Sequence, residues 1–138
     1  MPIIGNIVNG VSVKFAPAVN RDVDPILIAG LRRVIQSNIA EGHMLHEIYI
    51  TSANDSHGSP DLHDEGDKKT IAISRINGMK MSAAYLYDQS VQAIVNAIQT
   101  AFETYPYRRE NFGPFFKRKL GASAQMPGYR DHIRLSVN

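Results

Sequence analysis

The strongest structural signal in this sequence is a run of apolar residues at helical spacing that follows Asp88. Apolar side chains recur three, four and seven positions apart, which places them on one face of an α-helix. A stripe of this kind is typical of a helix that packs on a core. The predicted core face comprises Val91, Ile94, Val95, Ile98, Ala101 and Phe102.

A further amphipathic helix is predicted between Asp24 and Gly42. Asp24 can cap the N-terminus, Pro25 suits the first turn, and Gly42 suits the exit. The opposite side carries polar residues, as expected for a solvated face. The predicted core stripe comprises Leu27, Leu31, Val34, Ile35 and Ile39.

Three segments have the alternating pattern of β-strands: LHEIYITS, TIAISRING and the terminal DHIRLSVN. The second ends at the turn pair Asn77-Gly78, which favours a hairpin. After Pro106, aromatic, basic, Gly and Pro residues predict a short helix near 114–120 between irregular stretches. The order of elements predicts an α+β fold, with a small, mainly antiparallel sheet and two main helices.

The composition fits one soluble domain covering residues 1–138. Hydrophobic residues make up 43% and charged residues 20%, which is far from the mixture that stays disordered. The net charge of +2 is too small to indicate nucleic acid or membrane as a partner. We find neither a secretory signal nor an apolar run of about 20 residues, so we expect synthesis in the cytoplasm and no membrane span.

A long polar stretch at residues 52–69 separates two predicted strands. Because long surface loops in small domains are often functional, this stretch is the first place to look for a site. It places His57 and His63 among several carboxylates, and the chain has no cysteine, so any metal site must use His and carboxylate ligands. An acidic, turn-rich loop has the same composition. His43 and His46 are interpreted as polar surface residues.

The order of these features resembles the M15 family of zinc peptidases, which includes D-Ala-D-Ala carboxypeptidases and phage endolysins. The resemblance covers about residues 24–138 and runs through ITSANDSHGSPDLHDEG, TIAISRI and DHIRLSVN. It implies the Hedgehog/DD-peptidase fold. It also implies a zinc ion held by a loop histidine, a strand aspartate and a histidine of the terminal strand, with an acidic general base before that last histidine.

Carried over by position, the resemblance implies a degenerate metal site. His63 matches the loop histidine, whereas Ser74 stands in place of the strand carboxylate and Arg134 in place of the terminal histidine. Asp131 matches the general base in this register. A hydroxyl is a weak zinc ligand and a fixed cation opposes zinc binding.

A second alignment with the M15 pattern is compatible with an active enzyme. His132 can replace the terminal ligand, with Asp61, Asp64 or Asp67 replacing the strand carboxylate. Tyr129 then falls at the general-base position, where it is a poor base. One alignment therefore cannot restore both halves of the site.

The aromatic and basic run after Tyr105 predicts a protein interface. Exposed aromatic and Arg residues are typical of such interfaces, and single-stranded nucleic acid is the less favoured alternative. The candidate interface residues are Tyr107, Arg108, Arg109, Phe115 and Phe116.

The sequence thus predicts a catalytically degenerate M15-like domain that serves as a structural or binding module without a cofactor, for example in a phage tail or virion. The expected partners are proteins of an assembly or peptidoglycan, and the expected location is the virion or the cell envelope after release. The alternative is an active zinc peptidase that cleaves peptidoglycan peptides, with His63, His132 and Asp67 holding the metal.

Overall fold

The computed structural model describes residues 3–17, 19–53, 68–114, 117–119, 122–123 and 132–138. Within these ranges the helices are α1 (Pro25–Val34), α2 (Met81–Ala84) and α3 (Gln89–Phe102). The strands are β1 (Ile7–Val8), β2 (Val11–Phe15), β3 (Glu47–Ala53), β4 (Thr70–Ile76), β5 (Met79–Lys80), β6 (Arg108–Phe112), β7 (Lys117–Lys119), β8 (Ala122–Ser123) and β9 (Ile133–Val137).

The described strands form one sheet in the order β1-β2-β3-β4-β9-β6-β7-β8, and β5 pairs with β4. All of these pairs are antiparallel except β2 with β3, which are parallel and joined through α1. A crossover helix is the usual connection between adjacent parallel strands. The predicted mixture of helices with a mainly antiparallel sheet is therefore confirmed.

Helix α1 begins as predicted and ends earlier than predicted. The Asp24 carboxylate accepts a hydrogen bond from the Ile26 amide at 2.8 Å, and Pro25 occupies the first turn. The helix stops at Val34, whereas the sequence predicted a continuation toward Gly42. Ile35 has an extended backbone, and the Asn9 side-chain amide donates to the carbonyls of Arg32 and Ile35 at 2.8 and 3.1 Å. Asn9 thereby satisfies carbonyls that a continuing helix would use itself.

Helix α3 follows the prediction closely. Asp88 caps it through a 3.0 Å hydrogen bond from the Val91 amide. Its predicted core face is fully buried except at Ala101, which is half-buried. The apolar spacing was therefore sufficient to locate this helix and its buried side.

Helices α1 and α3 pack together on one face of the sheet. That face carries alternate residues of the central strands, including Ile71 and Ile73 of β4 and Ile133 and Leu135 of β9, all with no exposed surface. The intervening residues face the other side, which we call the polar face. Among the described residues, the helices and the sheet thus form two packed layers with the core between them.

Tyr105 joins the end of α3 to the start of α1. Its hydroxyl donates to the Ile26 carbonyl at 2.7 Å, and its ring lies against Gly30, where an added Cβ would come within 3.0 Å. Burial raises the pKa of Tyr105, with smaller contributions that raise it from Tyr107 and Asp24 and one that lowers it from Arg33. The neutral phenol is therefore the form that this packing favours.

Two parts of the sheet differ from the prediction. The segment after Pro106 was expected to be irregular with a short helix near 114–120. Instead, Arg108–Phe112 is a strand that pairs with β9, and Lys117–Lys119 is a strand that pairs with β6. The first 23 residues were given no element, yet they contain β1 and β2. Cross-strand pairing outweighs local composition in both places.

Candidate functional site

The pairing of β4 with β9 brings together three residues that the sequence analysis singled out. Ala72 lies opposite Arg134 and Ile73 opposite Ile133, so the next residues along the two chains are Ser74 and His132. Because alternate residues share a face, Ser74 and Arg134 both lie on the polar face. The strand register therefore places Ser74, His132 and Arg134 in one region of the sheet.

Arg134 lies within a polar cluster that extends onto β6. Its Nε is 3.4 Å from Oε1 of Glu110, and the two side chains are only 17% and 15% exposed. The same carboxylate oxygen accepts a hydrogen bond from the Ser136 hydroxyl at 3.0 Å. Ion pairs shielded in this way are screened less by salt than surface pairs.

Arg109 completes this cluster from the side of β6. Its Nε donates to the Ser136 hydroxyl at 3.2 Å and its Nη2 donates to the Thr70 hydroxyl at 3.1 Å. The Ser136 hydroxyl thus accepts from Arg109 and donates to Glu110, so one chain of contacts joins β4, β9 and β6. The pairing of β6 with β9 shifts register between Arg108 and Glu110, which places Arg109 at the irregularity.

Ser74 sits at a second irregularity, between β3 and β4. The pairing skips Ser74 on β4 and Thr51 on β3, and the Thr51 hydroxyl donates to the Ser74 hydroxyl. Bulges of this kind re-aim side chains, often next to functional sites. The Ser74 hydroxyl is therefore already engaged with a neighbouring strand.

The two degenerate ligand positions, Ser74 and Arg134, do not suit a zinc ion. Zinc prefers His, Cys and carboxylate ligands, whereas Ser74 offers a neutral hydroxyl and Arg134 a permanent cation paired with Glu110. No group of three metal-ligating residues occurs within the part of the chain that the structure describes. His63, Asp67 and Asp131 lie outside the described residues, as do His57, Asp61 and Asp64, so their predicted roles remain predictions.

Of the described candidate interface residues, Tyr107 is exposed, whereas Arg108 and Arg109 form hydrogen bonds within the fold. The Tyr107 side chain is 53% exposed, but the Arg108 guanidinium donates to the Tyr105 carbonyl at 3.0 Å. Arg109 points instead into the polar cluster described above. Phe115 and Phe116 lie outside the described residues.

Sequence reasoning missed Glu110, Thr70 and Ser136 as members of the site. The segment containing Glu110 was interpreted by its aromatic and basic composition. Its strand, Arg108–Phe112, begins with four polar residues, so no apolar alternation indicated a strand there. Thr70 and Ser136 are ordinary strand residues whose role depends on the register between β4 and β9.

No protein-family model, curated protein or solved structure matches this chain. Within the described ranges, no helix has the length and apolar character needed to cross a bilayer.

Proposed function

We propose that this chain is a non-catalytic binding or structural module whose fold is related to that of the M15 zinc peptidases. In this proposal the module belongs to an assembly such as a phage tail or virion. The supporting observation is the ion pair between Arg134 and Glu110, at the strand position where the resemblance places a histidine ligand.

The charge of this pair is the physical argument against a catalytic metal there. A guanidinium remains protonated throughout the accessible pH range, so it cannot become a ligand by losing a proton. Removing Arg134 from the cluster would leave Glu110 shielded from water without its partner, and breaking such pairs is costly. The cluster thus supports a structural role for residues at these positions.

The alternative is an active zinc peptidase acting on peptidoglycan. It requires His132, together with His63 and Asp67, to bind the metal, and an acidic side chain to accept a proton from water. Of these residues, only His132 is described, and it is half-buried beside β9.

Metal content separates the two proposals. We expect purified protein dialysed against zinc to contain far less than one zinc per chain by mass spectrometry, with no change in His63→Ala. We also expect no release of peptides from peptidoglycan and no effect of chelator. Near-stoichiometric zinc that is lost in His63→Ala would favour the enzyme.

A variant with restored ligands tests the family relationship itself. In the double variant Ser74→Asp, Arg134→His, both strand ligands of the M15 pattern are present again. If the relationship holds, this variant should bind zinc more tightly than the original chain, and His63→Ala should abolish the gain. A folded double variant without any gain would count against the relationship. Self-association measured by light scattering then tests the assembly role.

A further inference from the structure

A row of cationic side chains crosses the polar face near the end of β4, whereas the ion-pair cluster lies near its start. The strand pairings place Lys14 opposite Tyr49, Tyr49 opposite Arg75, and Arg75 opposite Lys80. These residues belong to β2, β3, β4 and β5, so the row runs across the strands. We call Lys14, Tyr49, Arg75 and Lys80 the basic row.

The four side chains share the polar face because their neighbours point into the core. Val13, Ile48, Ile50 and Ile76 are almost completely buried. In the basic row, by contrast, Lys14 and Lys80 are exposed, and Tyr49 and Arg75 are half-buried. The Arg75 guanidinium lies 4.3 Å from the centre of the Tyr49 ring, as in a cation–π contact.

The positive charge of the row is not neutralised by its described surroundings. Within the described part of the chain, no carboxylate forms an ion pair with Lys14, Arg75 or Lys80. Glu47 lies on the same face, where it pairs with Ser12 in the next row. Charge complementarity therefore points to an anionic partner.

We propose that the basic row binds single-stranded nucleic acid, with Lys14, Arg75 and Lys80 contacting phosphates and the Arg75–Tyr49 pair offering a stacking surface for a base. Cations interleaved with an aromatic residue on an open sheet face are a recurrent way to hold a single strand. This site is distinct from the segment after Tyr105, and it does not depend on the proposed relationship to peptidases.

The direction of the row favours nucleic acid over an acidic peptide. An extended peptide usually gains affinity by hydrogen bonding along a sheet edge. Lys14, Tyr49 and Arg75 lie on strands whose backbones already pair within the sheet, so the face offers side chains alone. Since neighbouring strands lie about 4.8 Å apart, the row spans about 14 Å, or roughly four stacked nucleotides at about 3.4 Å each.

The test is fluorescence anisotropy of a labelled oligothymidylate titrated with the protein over a range of salt concentrations. Three phosphate contacts predict a slope of about −2 for the logarithm of affinity against the logarithm of salt concentration. Lys80→Gln should reduce the magnitude of this slope by about 0.7 and weaken binding at low salt. Arg32→Gln removes an exposed cation from α1, on the helical layer, and is the matched control that should leave both values unchanged.

Stacking is tested separately from charge. Tyr49→Ala should weaken binding about tenfold, whereas Tyr49→Phe, which keeps the ring, should retain most of the affinity. Absence of binding at low salt in the unaltered chain would overturn the proposal. It would also be overturned if Lys80→Gln and Arg32→Gln behaved alike, or if a polyglutamate peptide bound as tightly as the oligonucleotide.

Discussion

Single residues determine where the helices begin and end, some through contacts close in sequence and others through contacts far apart in sequence. Asp24 and Asp88 each cap the helix that follows, within three residues of their own position. Such contacts can be read from sequence because both partners lie in one short window. Asn9 ends α1 through contacts 23 and 26 residues away. The sequence pattern from Leu27 to Ile39 is compatible with a longer helix, and only the tertiary contact reveals where it stops.

Gly113 is a position where a single methyl group should be costly. A Cβ there would lie 2.6 Å from Oε1 of Gln99, whose buried side chain donates to Asn111 at 3.0 Å. Moving Gln99 aside would break this hydrogen bond. We therefore expect Gly113→Ala to lower the free energy of unfolding by about 1–3 kcal/mol, measured by chemical denaturation.

Gly5→Ala is the control for this substitution. Gly5 is exposed, and a Cβ there would lie 3.4 Å from the Ile7 carbonyl, an ordinary contact. Its effect should stay within about 0.5 kcal/mol. Equal denaturation midpoints for the two variants would show that the space around Gly113 is not restrictive.

At the scale of elements, two hairpins show what local sequence can and cannot predict. Asn77-Gly78 joins β4 to β5 with positive φ at both residues, as the dipeptide predicts. Asn9-Gly10 has the same dipeptide and the same positive φ angles, and it joins β1 to β2. The second hairpin was missed although the turn signal was present and Val11, Val13 and Phe15 alternate with polar residues in β2. Only β1, with two residues, is too short to show an alternation.

Tyr105, which joins the end of α3 to the start of α1, should make the free energy of unfolding depend on pH in the alkaline range. Burial raises the pKa of Tyr105 above about 10, the value for an exposed tyrosine, so the unfolded chain loses the phenolic proton more readily. The contribution of Tyr105 is thus fully present below about pH 10 and is lost as pH rises through its folded-state pKa. The pKa of Tyr85 is raised by burial as well, so part of the alkaline decline will persist without Tyr105.

Tyr105→Phe tests this dependence. At neutral pH the variant loses the hydrogen bond to the Ile26 carbonyl, and we expect it to be about 1 kcal/mol less stable. The difference from the unaltered chain should narrow above about pH 10. Denaturation midpoints at neutral and alkaline pH measure this difference, and Tyr107→Phe, at an exposed ring, is the control. A difference that is independent of pH would contradict the prediction.

At the scale of the whole molecule, the sequence predicted two of the strands that form the candidate site, β4 and β9, but not the third, β6. Ser74, His132 and Arg134 lie in one region because two predicted strands pair with each other. Glu110 comes from a strand that was not predicted, so the ion pair with Arg134 could not be foreseen. The basic row was missed for a related reason, since its four residues come from four strands and only the register aligns them.

Hydrogen exchange should report the same architecture. β4 and β9 lie inside the sheet and carry core residues with no exposed surface, whereas β1 has two residues and pairs only with β2 among the described strands. We expect the backbone amides of β4 and β9 to exchange most slowly and those of β1 most quickly, measured by mass spectrometry of peptides. Early exchange in β9 would contradict this order.

The position of β9 in the sheet also affects how the chain folds during synthesis. β9 follows all the other described strands in the chain, yet it lies between β4 and β6 in the sheet. While the chain is being synthesised, the edges of β4 and β6 that flank β9 stay unpaired until β9 emerges from the ribosome. Unpaired edges of this kind promote association between chains. A chain truncated before Ile133 should therefore aggregate rather than form a smaller folded protein.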